Sequence, residues 1–170
     1  QAGTVGLYFE PEGATEKLAA LVEQALPVFQ AAGDDLALYV AYAALSELEV
    51  TRGRIDAALE AYERAFTHAR QAGHLPPNSF AQRAYCRFAG TTPVPDLLAW
   101  PDQNEAQAGR DYFFRAYRAN ALAMLGRFDE ARAILTQARA ELAERGGGVL
   151  LANITAFESV WVERWAGDPA

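Results

Sequence analysis

A glycine-bounded segment occurs twice in this chain, and the duplication restricts the possible folds more than any other feature of the sequence. Residues 53–73, GRIDAALEAYERAFTHARQAG, align without gaps on residues 126–146, GRFDEARAILTQARAELAERG. The identical pairs are Gly53 and Gly126, Arg54 and Arg127, Asp56 and Asp129, Ala58 and Ala131, Ala65 and Ala138, and Gly73 and Gly146. Similarity at this scale indicates a protein assembled from stacked helix pairs.

Further copies of the segment extend the pattern along the chain. Residues 13–33 form a third copy with Ala25 in the register of Ala65, and other copies open at Gly90 and Gly167. The opening glycines are spaced 40, 37, 36 and 41 residues apart, which is the range of helix-pair repeats. We predict first helices over residues 36–52, 79–89, 111–125 and 149–166, and second helices over residues 15–32, 56–72 and 129–145.

The turns between these helices have a physical rationale. Glycine adopts the left-handed conformation just past a helix end without steric cost, so Gly53 and Gly126 are expected to end one helix and begin a turn. Asp56 and Asp129 then lie in the first turn of the next helix, where a carboxylate is favoured. Pro27 predicts a kink in its helix. In the repeat that opens at Gly90, three prolines limit the second helix to about residues 96–100.

Composition narrows the classes of partner and the compartment. Fifteen Lys and Arg against 22 Asp and Glu give a net charge of −7, and the basic residues are scattered, so neither nucleic acid nor an anionic membrane surface is an expected partner. No apolar run reaches the 18 or so residues that cross a bilayer. The single cysteine, Cys86, and the absence of a signal-like start favour a cytoplasmic protein. We expect the chain to be part of a longer polypeptide.

Motifs that carry chemistry are absent from the sequence. The glycines at 146–148 lack the Gly-Lys-Ser/Thr ending of a phosphate-binding loop. His68 and His74 have no cysteine or carboxylate at metal-ligand spacing, and Asp34 and Asp35 are placed to begin a helix. No nucleophile with a neighbouring base can be named. We therefore predict no catalytic, metal-binding or cofactor-binding residue, and no enzyme activity.

The repeated residues resemble the tetratricopeptide repeat, which has glycine at the turn between its helices and small or aromatic residues where the helices pack. This pattern includes Ser46, Gly53, Ala58, Tyr62 and Ala65 in one copy, and Ala119, Gly126, Ala131, Leu135 and Ala138 in another. Glu49 and Arg118 depart from it, since these positions are apolar in the family. The resemblance implies an all-α fold: a right-handed superhelix of antiparallel helix pairs forming a single domain over residues 1–170, with about four repeats, one of them irregular.

More narrowly, the chain resembles the C-terminal repeat region of bacterial multidomain signalling regulators, in which a nucleotide cyclase or a transcription factor is fused to a signal-transduction ATPase. This resemblance rests on the runs YFEPEGATEKL, LPVFQAAGDDLAL, GTTPVPDLL and MLGRFDEARAIL together with residues 53–73. It implies a non-catalytic regulatory module that binds a protein segment or a neighbouring domain of the same chain. First helices would line the binding groove, with candidate residues Glu47, Arg87, Phe113, Asn120, Phe157 and Trp161.

Other interpretations of the same residues stay open. The aromatic residues can be ordinary core or inter-repeat packing, although Tyr112, Phe113, Phe114 and Tyr117 cannot all face inward on one helix. Exposed terminal helices can pair two copies into a dimer. A small-ligand sensor is the second functional hypothesis, with a pocket near Tyr85, Arg87 and Trp100 in the irregular repeat. A helical enzyme with a site of scattered charged residues is the third, and the least favoured.

Overall fold

The computed structural model describes residues 13–74, 79–100, 112–153 and 157–167, and the regular structure in this part of the chain is helical. The all-α prediction is thereby confirmed. The helices are α1 Ala14–Ala32, α2 Asp35–Thr51, α3 Ile55–Gln71, α4 Ser79–Ala89, α5 Val94–Ala99, α6 Tyr112–Met124, α7 Phe128–Glu144, α8 Gly148–Asn153 and α9 Ser159–Ala166.

These bounds follow the predicted ones closely where the repeat is regular. The predicted helix over residues 149–166 appears as α8 and α9, with residues 154–156 outside the described part. The short helix α5 begins two residues before the predicted position, because Pro95 lies in its first turn, where no backbone N–H is required. Pro27 lies inside α1, which runs on to Ala32.

The chain divides into two compact units, Gln1–Cys86 and Arg87–Ala170, with the boundary inside α4. In the first unit α1 packs on α2 and α2 packs on α3. Apolar side chains fill the layers between these helices, and the third of their clusters extends to Cys86 of α4. The buried members are Leu18, Val22 and Leu48 in one cluster, Leu38, Tyr42 and Ala65 in a second, and Ala58, Tyr62 and Cys86 in a third.

The second unit is built around the pair α6 and α7. Helices α5 and α9 pack on α6, and α8 and α9 pack on α7. One apolar cluster joins α6, α7 and α9. Its buried members are Ala116, Ala119, Leu122, Ala123, Ala131, Leu135, Leu142 and Val162.

The predicted glycine turns are confirmed, and they repeat the same hydrogen bonds. Gly53 has φ 70° and Gly126 has φ 76°, both left-handed. The Gly53 N–H donates to the Val50 carbonyl at 2.9 Å, and the Arg54 N–H donates to the Glu49 carbonyl at 2.8 Å. The equivalent bonds after α6 run from Gly126 to Ala123 at 2.9 Å and from Arg127 to Leu122 at 3.0 Å. These two hydrogen bonds form a Schellman motif. The N–H groups that follow the helix bond to carbonyls of its last turn, and the chain turns tightly.

Equivalent alanines are buried in the two copies of the repeated segment. Ala58 and Ala131 are both 0% exposed, and Ala65 and Ala138 are 2% and 0% exposed. Ser46 of α2 is also buried, and its hydroxyl donates to the Ala58 carbonyl at 3.1 Å, which holds α2 against α3. Small side chains at these positions let the two helix backbones approach closely. The pairs α2–α3 and α6–α7 are therefore two versions of one helical hairpin.

Candidate functional site

Glu47 is a half-buried side chain on α2, where its carboxylate takes part in a polar network. It accepts a hydrogen bond from the Tyr62 hydroxyl of α3 and another from Gln82 Nε2 of α4 at 3.4 Å. Burial raises the pKa of Tyr62 well above its usual range, and the hydrogen bond to Glu47 raises it further. Tyr62 therefore stays a neutral donor. The groove candidate Glu47 is held in a fixed position by its neighbours on two other helices.

Glu49, one of the two departures from the repeat pattern, is a nearly buried carboxylate at the end of α2. Its side chain is 9% exposed and pairs with Arg54 and, at 3.4 Å, with Arg52. The hydrogen bond from Arg54 holds the pKa of Glu49 below its ordinary value of 4.5, although burial acts in the opposite direction. In the other hairpin Leu122 occupies the equivalent position, and Arg127 instead contacts Glu130 with two bonds of 2.7 Å.

The Glu49 ion pair predicts a specific pH dependence of stability. A carboxyl whose pKa is lowered by folding stabilises the native state above its unfolded pKa, and that contribution is lost as the pH falls through its folded pKa. We expect Glu49→Gln to lower the free energy of unfolding by about 1–2 kcal/mol at pH 7 and to make it less dependent on pH below 4.5. Urea unfolding between pH 3 and pH 7 measures this, with the exposed Glu60→Gln as control. If the free energy of unfolding depends on pH in the same way for wild type and Glu49→Gln, the stabilising role assigned to the Glu49 ion pair is wrong.

Arg87 stands at the start of the second unit and contacts Trp100. The guanidinium carbon of Arg87 lies 4.6 Å from the centroid of the Trp100 ring, and both side chains are half-buried. This distance is within the range of a cation–π interaction. The contact fixes the end of α5 relative to the last turn of α4. The candidate Arg87 therefore has a packing role in addition to any role in binding.

The four aromatic residues of α6 separate into core and half-buried positions. Phe114 is 1% exposed and meets Trp100 edge-on with ring centroids 5.9 Å apart. The other three, including the candidate Phe113, are half-buried, and Tyr117 stacks on Phe88 at 5.6 Å. The expectation that the four cannot all face the core is confirmed. Phe113 lies where it can be reached from outside the unit.

Asn120 differs from its expected place on an open groove. It is only 1% exposed, and its amide nitrogen donates a hydrogen bond to the Glu158 carboxylate. Burial raises the pKa of Glu158, while the bond from Asn120 lowers it. The hydrogen bond joins Asn120 of α6 to Glu158, the residue directly before α9. The sequence analysis did not single out Glu158. It lies in the middle of the helix predicted over residues 149–166, between two apolar stretches.

The C-terminal helix α9 and Phe157, two residues before it, carry the most exposed aromatic surface among the described residues. Phe157, Val160, Trp161 and Trp165 are 61%, 56%, 45% and 39% exposed. The rings of Trp161 and Trp165 lie 5.8 Å apart, with the Arg164 guanidinium 5.7 Å from the Trp161 ring centroid. On the opposite side, Val162 is fully buried against α6 and α7. We call Phe157, Val160, Trp161 and Trp165 the α9 aromatic face.

The histidines are engaged in local contacts in the first unit. His68 Nδ1 lies 2.8 Å from Asp35 Oδ1, and its ring stacks on Tyr42 with centroids 5.6 Å apart. Asp34 accepts from the Ala37 N–H at 3.0 Å, which confirms its predicted capping role. Over residues 13–74, 79–100, 112–153 and 157–167, no group of three or more His, Cys, Asp or Glu side chains is arranged to hold a metal ion. The helices of the same ranges include none long and apolar enough to span a membrane.

A pocket of about 550 Å³ lies in the second unit, against the short helix of the irregular repeat. It is open to solvent, and apolar and charged side chains of α5, α6, α7 and the turn between α6 and α7 line it. The lining residues are Pro95, Leu98, Ala99, Arg118, Leu122, Arg127, Glu130, Ala133 and Ile134. From the sequence we predicted a pocket near Tyr85, Arg87 and Trp100. These three residues do not line the pocket of the second unit.

Comparisons of the chain with known protein families, with curated proteins and with solved structures give no match.

Proposed function

We propose that this chain is a non-catalytic interaction module of the tetratricopeptide-like type, a right-handed superhelix of helix pairs that binds a protein segment or a neighbouring domain within a bacterial cytoplasmic signalling protein. The observation that carries the proposal is the recurrence of one hairpin, with the same glycine turn and the same buried small residues, in two places along the chain. Repeated hairpins of this kind stack into extended surfaces, and binding is the common use of such surfaces.

The α9 aromatic face is the part of the described surface best suited to such binding. Trp and Phe side chains at 39–61% exposure offer apolar area that a partner can bury, and aromatic residues dominate the energy of many interfaces. Arg164 beside Trp161 adds a cation at its edge. Val162 anchors the helix to the core, so the exposed residues are presented on a fixed support. A partner segment with apolar anchors and an acidic residue fits this surface.

Peptide selection tests the proposal directly. A random peptide library displayed on phage is selected against the chain, and the affinity of each enriched peptide is measured by calorimetry. We expect Trp161→Ser to weaken binding roughly tenfold or more, since truncating a hot-spot aromatic at the centre of an interface costs about 2 kcal/mol or more. The matched control is Val28→Ser on α1, a residue 63% exposed in the other unit, which should leave binding unchanged. Failure to enrich any peptide, or equal affinity for Trp161→Ser, would refute this use of the α9 face.

A small-ligand sensor is the second candidate, and the pocket of the second unit favours it. The volume of about 550 Å³ falls within the usual range of small-molecule sites, and both apolar and charged side chains line the pocket. A ligand there would contact α5, α6 and α7 together. Binding would then stabilise this unit of the chain by mass action, without any reaction.

A further inference from the structure

A buried amide in the second unit has one of its two polar atoms unsatisfied. Asn120 of α6 is 1% exposed, and its Nδ2 donates a hydrogen bond to the Glu158 carboxylate. Its Oδ1 is buried and has no hydrogen-bond donor within the described ranges. A buried acceptor without a donor is costly, so native structures contain few of them. The amide of Asn120 therefore calls for a donor on the side where Glu158 lies.

The carboxyl group of Glu158 can supply this donor when it is protonated. A carboxylate only accepts hydrogen bonds, so it serves the amide nitrogen of Asn120 but not Oδ1. A carboxylic acid accepts through one oxygen and donates through the hydroxyl of the other. The acid and the amide can then form two parallel hydrogen bonds, from Nδ2 to Glu158 and from the Glu158 hydroxyl to Oδ1. The neutral form of Glu158 thus satisfies the amide on both sides, and the ionised form satisfies one side.

The surroundings of Glu158 also favour its neutral form. The side chain is half-buried, and burial raises the pKa of Glu158 above its ordinary value of 4.5, although the hydrogen bond from Asn120 lowers it. A half-buried carboxylate is stabilised when a cation pairs with it. Glu158 forms no ion pair with any of the described residues.

The charged groups on the helices that pack against α9 have other partners. These helices are α6 and α7. Their contacts are Arg115 with Glu141, Arg127 with Glu130, Arg132 with Asp129 and Glu163, Arg139 with the Ser159 hydroxyl, and Arg145 with the Tyr112 ring. On the other sides of α6, Tyr117 stacks on Phe88 and Arg118 lines the pocket. The charge of an ionised Glu158 is therefore offset mainly by the amide of Asn120.

We infer that Asn120 and Glu158 form a pH-sensitive switch, in which uptake of a proton by Glu158 adds a second hydrogen bond and holds α9 more firmly against α6. Glu158 lies directly before α9, so the switch acts on the helix that carries most of the α9 aromatic face. It gives the proposed binding surface a regulator, and for that consequence it rests on the proposed function.

The direction of the pH effect follows from the raised pKa of Glu158. A carboxyl whose pKa is raised by folding stabilises the native state below its unfolded pKa, and that contribution is lost as the pH rises through the folded pKa. We therefore expect α9 to be held most firmly at mildly acidic pH and to open more often as the pH rises above 4.5. This direction is opposite to that of the Glu49 ion pair, whose contribution is lost as the pH falls.

Amide hydrogen exchange of α9, measured by mass spectrometry between pH 4.5 and pH 8, tests the switch without any partner. Rates are corrected for the intrinsic effect of pH, and the protection of α9 is compared among variants. In the wild type, protection should fall as the pH rises. Glu158→Gln should protect α9 about tenfold more than wild type at pH 8 and remove the pH dependence, because glutamine has an N–H donor for Oδ1 and no proton to lose. A tenfold change corresponds to about 1.4 kcal/mol.

Two further variants separate the hydrogen bond from the charge. Glu158→Met removes the charge but supplies no N–H or O–H donor, so it should remove the pH dependence and protect α9 less than Glu158→Gln does. Glu144→Gln removes an exposed carboxylate of α7 and should keep the wild-type pH profile. Equal protection in the methionine and glutamine variants would show that Glu158 does not act as a donor to Asn120.

The remaining results each contradict the switch. If wild-type protection of α9 is constant or increases with pH, or if Glu158→Gln protects α9 less than wild type at pH 8, the ionised carboxylate holds α9 at least as well as the acid, and the inference is wrong. The proposed function would still stand on the peptide selection. If the switch is found but no peptide binds, the proposed use of the α9 aromatic face fails and the switch remains.

Discussion

Phe114→Ala is expected to lower the free energy of unfolding by about 3–5 kcal/mol, because it removes a large side chain from a well-packed interior. Phe114 is 1% exposed, and its ring lies edge-on to Trp100 at 5.9 Å. Alanine would leave a cavity beside Trp100 as well as lose the buried apolar area. Urea unfolding followed by circular dichroism measures the loss, and tryptophan fluorescence reports on the environment of Trp100.

The adjacent residue Phe113 is the matched control for this prediction. Its ring has the same size, but it is half-buried on another side of α6. Phe113→Ala should therefore cost only about 1–2 kcal/mol, in proportion to the smaller area that it removes from water. Equal losses for the two variants would mean that α6 is rotated relative to the arrangement described. A larger loss for Phe113→Ala would reverse the assignment of core and surface on this helix.

Ala58→Leu and Ala131→Leu form the second prediction, and each is expected to destabilise its hairpin by about 1–3 kcal/mol. Both alanines are 0% exposed at the point where two helices approach closely. Leucine adds three carbon atoms at that point, so the helices must separate or the side chain must leave its preferred rotamer. Urea unfolding gives the free energies, and similar losses at the two positions are expected if the hairpins are equivalent.

Exposed alanines on the same helices serve as controls. Ala57 precedes Ala58 on α3, and Ala133 follows two residues after Ala131 on α7, and both are exposed. Leucine at either position should change the free energy of unfolding by less than about 0.5 kcal/mol. If only one of the two buried alanines proves sensitive, the hairpins do not share their packing, and the duplicated sequence segments have diverged in structure.

The regular part of the fold was predictable from the sequence because its signals are local. Gly53 and Gly126 sit where only a left-handed residue closes the helix, so their spacing alone located the turns between α2 and α3 and between α6 and α7. Alanine at positions 58 and 131 marked the close contact of the two helices. These features depend on neighbours within a few residues, and the helix bounds agree with prediction to within a residue or two for this reason.

The candidate site was predictable only in part, because it depends on contacts between distant residues. Asn120 has the spacing of a groove residue, yet Glu158, far along the sequence, covers it. The pocket depends on how little of α6 and α7 the six-residue α5 covers. The prolines indicated that this helix would be short, but no local signal placed Arg118 beside Pro95 and Leu98. The groove positions on the first helices were taken from the resemblance to the tetratricopeptide repeat. That resemblance could not settle which aromatic side chains are exposed.

A crystal structure of the chain is the most direct test of the proposal that it is built from repeated helical hairpins. We expect residues 39–71 to superpose on residues 112–144 as one hairpin and, as proposed above, successive hairpins to follow each other in a right-handed superhelix with the α9 aromatic face exposed. Failure of the two segments to superpose, or hairpins packed around one common core without a repeating rotation, would contradict it.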